Sequence, residues 1–124
     1  MPMTEPDTPI RDLDDLRERL RRFAAERDWE RFHSPKNLAT ALIVEAAELV
    51  EHFQWLTEAE SAALPPEKKA LVAEELADVL LYLVRLADKV GVDLLAAATD
   101  KLRRNAEKYP VATARGRAKK YTEF

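Results

Sequence analysis

The stretch between the proline pair Pro65-Pro66 and Gly91 constrains the fold more than any other part of the chain. Proline is accepted in the first turn of a helix, and glycine readily adopts the left-handed conformation that ends one. The pattern therefore predicts one long helix that begins at Pro65 or Pro66 and ends just before Gly91. After Asp78 this helix is apolar nearly all round, which in so small a protein favours burial against another subunit.

Three further helices are predicted from apolar residues that recur every three or four positions. Ser34-Pro35 combines a capping serine with a proline at the first helical position, and Asp93 can cap the last helix. Thr57 and Glu60 have capping-box spacing, which predicts one short additional turn. The helices are expected over about Asp12 to Asp28, Pro35 to Trp55 and Leu94 to Lys108. No segment shows the alternation of a β-strand, so the chain is predicted to be all-α.

The composition of the 124 residues excludes several kinds of protein. There is no cysteine, so disulfides, thiolate metal sites and cysteine nucleophiles are excluded. The net charge is -3, and acidic and basic residues are spread along the chain without a basic stripe, which argues against a nucleic-acid polymer as partner. The longest apolar run, residues 79–84, is too short to span a membrane, and the N-terminus lacks a secretory signal, so we expect a cytoplasmic protein. We expect a disordered lead-in over residues 1–10, one helical domain over 11–110 and a basic tail over 111–124.

Two matched pairs of carboxylates are the sequence feature that most directly indicates a functional site. Glu45 and Glu48 stand three residues apart on the second predicted helix, and Glu75 and Asp78 on the long helix. Residues at this spacing share one helix face, and each pair lies on or beside a predicted core face. Because Asp and Glu are almost never buried without a partner, antiparallel packing of the two helices would gather four acids that need cations.

A ligand set made only of oxygen atoms selects a hard cation, so Mg²⁺ is expected, with Mn²⁺ as a substitute. Mg²⁺ usually retains waters and takes up substrate phosphates, which would let a net-acidic protein bind a polyanion. A single pair of glutamates three residues apart is usually a solvated helix face. Two pairs on apolar faces of two helices favour the metal site instead.

These motifs resemble those of the all-α nucleotide pyrophosphohydrolases of the MazG-like superfamily. The Glu45/Glu48 step followed one helix later by Glu75/Asp78 is that superfamily's mark. Further segments, in order from about residue 11 to 123, resemble its dCTP pyrophosphatase branch. They are Arg27-Asp28-Trp29-Glu30, Phe32-His33-Ser34-Pro35-Lys36-Asn37-Leu38, Phe53-Gln54-Trp55, Glu74 to Leu83, Tyr109-Pro110-Val111 and Lys120-Tyr121-Thr122.

The resemblance implies a four-helix, oligomeric MazG-like bundle, with homotetramers built as dimers of dimers. It also implies Mg²⁺-dependent hydrolysis of a (deoxy)nucleoside triphosphate, with dCTP or a C5-modified dCTP favoured, to the monophosphate and pyrophosphate. Water would attack the α-phosphorus, and bound cations would bridge phosphate oxygens and steady the leaving group. The residues alone do not say which glutamate activates the water or how many metal ions bind.

The resemblance also assigns roles to residues outside the acidic motif. Lys101 and Asn105, one turn apart on the last helix, would face the phosphates, with Tyr82 as a further candidate. Trp29 and Trp55 would line the pocket for base or sugar, since stacking on an aromatic ring stabilises a nucleobase. His33 and Asn37 are candidates for the same pocket. Without the resemblance, Lys101 would be an ordinary exposed lysine, core filling would compete equally for both tryptophans, and His33 would be a cap or surface residue.

Three alternatives remain beside this prediction. A di-iron bundle needs a Glu-x-x-His step on two helices, and neither Glu48 nor Glu75 has a histidine three residues on. A non-catalytic interaction module would explain the amphipathic helices but not the buried acids. Broader dNTP or NTP specificity stays open, because the first helix offers Leu20 and Phe23 but no histidine for a base. Ala46-Ala47 stands where relatives often carry glycine, which slightly alters the packing around the metals.

Overall fold

The computed structural model describes residues 8–123, and within that range the chain is helical without any strand. The first seven residues of the predicted lead-in lie outside the described part, and residues 8–10 are exposed and non-helical. Two single 3₁₀ turns cover Glu30–Phe32 and Tyr121–Glu123. The α-helices are α1 (Leu13–Glu26), α2 (Pro35–Glu51), α3 (Glu58–Ser61), α4 (Pro66–Val90), α5 (Leu94–Lys108) and α6 (Val111–Ala114). The all-α prediction is confirmed.

Capping interactions set most helix ends where the sequence predicts them. The Ser34 side chain accepts a hydrogen bond from the Asn37 amide at 3.2 Å, and Asp93 accepts one from the Ala96 amide at 3.0 Å. The predicted capping box of Thr57 forms in both directions. Gly91 ends α4 with φ of 73°, a conformation that is strained for residues with a Cβ.

Two helices end earlier than predicted. α2 stops at Glu51 instead of about Trp55, because the amides of His52 and Phe53 bond to carbonyls three residues back and tighten the last turn. α1 stops at Glu26, and Asp28 then takes a positive φ of 54°. Neither end has a glycine or proline to mark it. Aspartate is among the non-glycine residues that most readily adopt this conformation, so the reversal needs no glycine.

The described helices form two compact units, one ending at Gly91 and the other beginning at Val92. In the first unit α2 packs along α4, and α1 also contacts α4. Its buried apolar side chains come from those three helices, namely Leu16, Ala24, Leu38, Val72, Val84 and Ala87. None of the described helices has the length and apolar character needed to cross a membrane.

The second unit contains α5, the short α6 and the last 3₁₀ turn. α5 carries a charged surface on which Asp100 pairs with Arg103 and Arg104. The basic stretch of residues 115–120, predicted as a tail, is exposed and follows a helical turn that the sequence did not predict. Because α5 belongs to this unit, the four-helix bundle stays a prediction.

Candidate metal and nucleotide site

The packing of α2 along α4 brings three of the four predicted metal ligands together. Glu45 and Glu48 lie one turn apart on α2, and Glu75 faces them from α4. One carboxylate oxygen from each of the three lies within 4.8 Å of the others. Three acids so close, with no Lys or Arg of residues 8–123 paired with them, form a group that could hold a divalent cation.

We call Glu45, Glu48, Glu75 and Asp78 the acidic cluster. Burial and mutual repulsion make the charged forms of its carboxylates less favourable. Partial burial raises the pKa of Glu45 to about 7, assisted by the neighbouring Glu48 and by the charge of Asp78. Burial and the charge of Glu48 likewise raise the pKa of Glu75. Without a cation, the arrangement therefore makes Glu45 and Glu75 easier to protonate than carboxyl groups in water.

One atom of the cluster makes the fit to a cation specific. Glu75 Oε2 is buried and accepts no hydrogen bond from any described residue. Its other oxygen, Oε1, lies 3.9 Å from His52 Nε2, too far for a hydrogen bond. Buried carboxylate oxygens are rarely left without a partner, so a bound cation would satisfy an atom that the protein leaves unpaired. The oxygen-only donor set suits Mg²⁺ or Mn²⁺.

Asp78, the fourth predicted ligand, is not in the group of three but stands next to it. Its charge acts on both Glu45 and Glu75, and its side chain is partly buried. Asp78 also lines a cavity of about 140 Å³ enclosed by α1, α4 and the segment between α1 and α2. The remaining lining residues are Leu20, Phe23, Ala24, Trp29, His33, Leu81, Tyr82 and Arg85. The cavity and the acidic cluster therefore meet at Asp78.

Aromatic rings form one side of this cavity. Trp29 contacts Phe23 edge to face, with ring centroids 5.7 Å apart, and its ring is 6.3 Å from that of His33. Trp29 keeps 42% of its surface exposed, so it lines an opening and does not fill the core. Tyr82, one turn beyond Asp78 on α4, also lines the cavity. Three of the predicted substrate residues, Trp29, His33 and Tyr82, thus share one cavity.

The other predicted substrate residues lie elsewhere. Trp55 is 87% exposed and is not among the cavity residues, so it fills no core in this chain. The Asn37 side-chain amide donates to the Phe32 carbonyl at 3.0 Å, which stabilises the start of α2. Lys101 is exposed and Asn105 partly buried on α5, in the second unit. Roles for these residues in substrate binding stay predictions.

Arg85 is a cavity residue that sequence reasoning missed. It is 4% exposed and is the one buried charged side chain among the described residues. Its guanidinium pairs with Glu30 and lies 3.2 Å from His33 Nδ1 and 3.5 Å from Asp88 Oδ2. A lone cation in the apolar part of α4, three residues before an aspartate, was the available signal.

Known proteins share both the sequence and the fold. The model of the MazG-like family matches residues 41–124. The chain is 48% identical to dCTP pyrophosphatase 1 of Mus musculus over 119 residues, which cover 94% of this chain and 70% of the mouse protein. The Homo sapiens protein of the same name is 47% identical over the same shares. A crystal structure of a pyrophosphatase from Archaeoglobus fulgidus matches with a TM-score of 0.76 and 38% identity, covering 83% of this chain and 96% of that one.

The fold and the site define a helical protein with a candidate carboxylate metal centre beside an aromatic cavity. The family match covers more than half of the chain, and the relatives match across most of it. The chain belongs to the MazG-like family.

Proposed function

We propose that this chain hydrolyses a deoxynucleoside triphosphate, with dCTP or a C5-modified dCTP preferred, to the monophosphate and pyrophosphate. The chain is an enzyme of the nucleotide pyrophosphohydrolase class, given its close similarity to dCTP pyrophosphatase 1 from several mammals. The preference for dCTP and the requirement for Mg²⁺, with Mn²⁺ as substitute, are the finer parts of the proposal. The names of those relatives support the preference for dCTP, and the cluster of carboxylate oxygens supports the requirement for Mg²⁺.

One observation supports this function above the others. Carboxylate oxygens of Glu45, Glu48 and Glu75 converge from two helices, and Asp78 links them to a cavity with an aromatic wall. A triphosphate bound with its phosphates at the acids would place its base towards Trp29. A non-catalytic interaction module offers no reason for either the crowded acids or the unpaired Glu75 oxygen.

Different residues of the chain would bind the cations and the base. Glu45, Glu48, Glu75 and Asp78 would hold divalent cations, which when bound offset phosphate charge and lower the pKa of water. Trp29 would stack on the base, with a contribution of about 1–3 kcal/mol. Water would attack the α-phosphorus, and pyrophosphate would leave with the bridging oxygen of the broken α–β phosphoanhydride bond.

The remaining predicted substrate contacts complete this proposal. Tyr82 lines the cavity one turn beyond Asp78 and could reach the sugar or phosphates. Lys101 and Asn105 share one face of α5 and would contact phosphates. Trp55, being almost fully exposed, is available to close over a bound base. Asn37 would act mainly through the start of α2, where its side chain is bonded.

We also propose that the active form is a homo-oligomer, a tetramer built as a dimer of dimers. Leu76, Leu80 and Leu83 follow one another at helical spacing on α4 and are 53%, 42% and 38% exposed in the single chain. An exposed apolar stripe on a long helix is typical of a contact with another subunit. Sedimentation at micromolar concentration is expected to give a species larger than the monomer, and a monomer alone would refute this part.

The test of function is a panel of canonical and C5-modified deoxynucleoside and ribonucleoside triphosphates with Mg²⁺. Pyrophosphate release, measured with and without added inorganic pyrophosphatase, separates cleavage between the α- and β-phosphates from loss of the terminal phosphate. We expect pyrophosphate with every substrate used and the highest kcat/KM with dCTP or a C5-modified dCTP. Equal rates for all bases would favour the broader specificity, and direct release of orthophosphate would refute the reaction.

A matched pair of variants tests the site itself. Glu48→Gln removes one charge from the acidic cluster, while Glu74→Gln makes the same change at an exposed position on α4 outside it. Hydrolysis should fall by about two orders of magnitude or more in the first and stay near normal in the second. Near-normal turnover of a folded Glu48→Gln protein would refute the site assignment.

A further inference from the structure

The buried Arg85 is held from several sides at the edge of the cavity. Its guanidinium pairs with Glu30 and with Asp88. Each of these carboxylates has a second cation, Lys89 on Glu30 and Arg21 on Asp88, the latter in a bidentate contact of 2.5 and 2.8 Å. The side chain of Arg85 therefore has little freedom to rotate, and its Nε–H is directed at one acceptor.

That acceptor is Nδ1 of His33, 3.2 Å from Arg85 Nε. A guanidinium only donates hydrogen bonds and stays protonated at any pH a protein survives. The His33 Nδ1 atom must therefore be the unprotonated nitrogen of a neutral ring, and the ring proton must be on Nε2. Burial and then the charge of Arg85 lower the pKa of His33, while Glu30 opposes them and Lys89 adds a smaller lowering effect. The lowered pKa also favours the neutral ring.

His33 lines the cavity beside Trp29. With Nδ1 held by Arg85, the Nε2–H group is the one hydrogen-bonding atom that the ring can present there. Among residues 8–123 we find no group of the protein bonded to that nitrogen. A half-buried N–H donor without a protein partner beside an aromatic wall is suited to a ligand with an acceptor atom.

We propose that Arg85 is a positioning residue that holds His33 as the neutral tautomer protonated on Nε2, so that His33 donates a hydrogen bond to an acceptor on the pyrimidine base in the cavity. Because the ligand is the nucleotide, this role rests on the proposed function. Pyrimidine bases carry carbonyl and ring-nitrogen acceptors on their hydrogen-bonding edge. Because the His33 ring already carries its proton on Nε2 before the base binds, no change of tautomer is needed on binding, and this favours binding of the acceptor.

The tautomer is tested on the protein without substrate by ¹⁵N NMR of the histidine side chains at pH 8, above the ordinary histidine pKa of about 6.5. The chain has two histidines, so a His33→Asn spectrum assigns the signals. We expect His33 Nε2 to resonate as a protonated nitrogen and Nδ1 as an unprotonated one. Any other pattern in the wild type would overturn the proposal, whatever the activity.

Variants of Arg85 test the positioning. Arg85→Met keeps much of the buried volume but donates no hydrogen bond, and both carboxylates keep their second cation. It should give a mixture of tautomers, while Arg85→Lys, which can only donate, should restore the Nε2–H form. Arg11→Met makes the same change at a side chain that is 80% exposed and should leave the spectrum unchanged. An unaltered His33 spectrum in Arg85→Met would overturn the role of Arg85.

Recognition of the base is tested by kinetics. The side-chain amide nitrogen of Gln can occupy the position of the histidine Nε2 and donate in its place. The amide nitrogen of the shorter Asn occupies the position of Nδ1 and does not reach the base. His33→Gln should therefore keep most of kcat/KM for dCTP, and His33→Asn should lose about tenfold, the size of one lost hydrogen bond, mainly through KM. With the triphosphate of a nonpolar pyrimidine isostere, which has no acceptor, wild type and His33→Asn should agree within about twofold.

The outcomes separate this role from the function it depends on. An equal loss with both substrates in His33→Asn would show that His33 does not contact an acceptor and would overturn the recognition step. If no nucleoside triphosphate is hydrolysed at all, the proposed function and the base contact both fail. The NMR result would still decide whether Arg85 fixes the tautomer of His33.

Discussion

Replacing Glu45 by glutamine should make the metal-free protein more stable and make it less responsive to metal. The variant removes two of the three close repulsions among Glu45, Glu48 and Glu75, namely those of Glu45 with the other two. Charges 4.8 Å apart repel by ~1 kcal/mol at the dielectric constant of water and by ~3.5 kcal/mol at an effective value of about 20. Glu48 is exposed and Glu45 only partly buried, so the lower end applies and the gain is ~2 kcal/mol.

This gain has a defined pH window. The pKa of Glu45 is raised from 4.5 to about 7 in the folded state, so the folded protein binds a proton that the unfolded chain releases. The free energy of unfolding of the metal-free wild type therefore falls as pH rises from about 4.5 to about 7. Glu45→Gln lacks this titration, so the two proteins should differ least near pH 4.5 and most above pH 7.

The assay is thermal melting in EDTA and in Mg²⁺ or Mn²⁺. In EDTA at pH 8 the variant should melt about 5–10 °C above the wild type, as expected for ~2 kcal/mol in a domain of this size. At a metal concentration about 100-fold above Kd, the wild type should gain about 2.7 kcal/mol and the variant clearly less. Glu74→Gln, an exposed change on α4, should alter neither result. A variant that melts at or below the wild type in EDTA would refute the crowding of these acids.

Three further predictions concern single positions. Asp78→Asn should keep the helical content and lower kcat by about 100-fold or more, and a folded variant with near-normal turnover would exclude Asp78 from the site. Trp29→Ala should raise KM for dCTP about 10-fold or more at nearly unchanged kcat, as expected for lost stacking, whereas an unchanged KM would place the base elsewhere. Lys89 and Arg85 lower the pKa of Glu30. The stability that these two ion pairs contribute should therefore be lost as pH falls below about 4.5, because Glu30 is then protonated in the folded state. Melting curves of Glu30→Gln should then show a shallower decline between pH 5 and 3 than the wild type, and parallel declines would contradict the ion pairs.

The sequence predicted most helix limits because local interactions set them. Ser34 and Asp93 accept hydrogen bonds from amides three residues ahead, and Gly91 takes a left-handed conformation that glycine adopts without strain. The spacing of the carboxylates also predicted their shared helix faces, since three residues make nearly one turn. The ends of α1 and α2 escaped prediction because tightened turns, without glycine or proline, close them.

Only the tertiary structure decided which of the candidate residues meet. Spacing could not show that Trp29 lines a cavity while Trp55 is exposed, because both are aromatic residues next to polar segments. Arg85 and His33 are 52 positions apart, and no local pattern connects them. The sequence thus determined the helices and the chemical types on each face, through contacts a few residues long. The packing of α1, α2 and α4 determined which acids crowd, which oxygen stays unpaired and which ring nitrogen carries the proton, because those properties depend on distances between segments far apart in the chain.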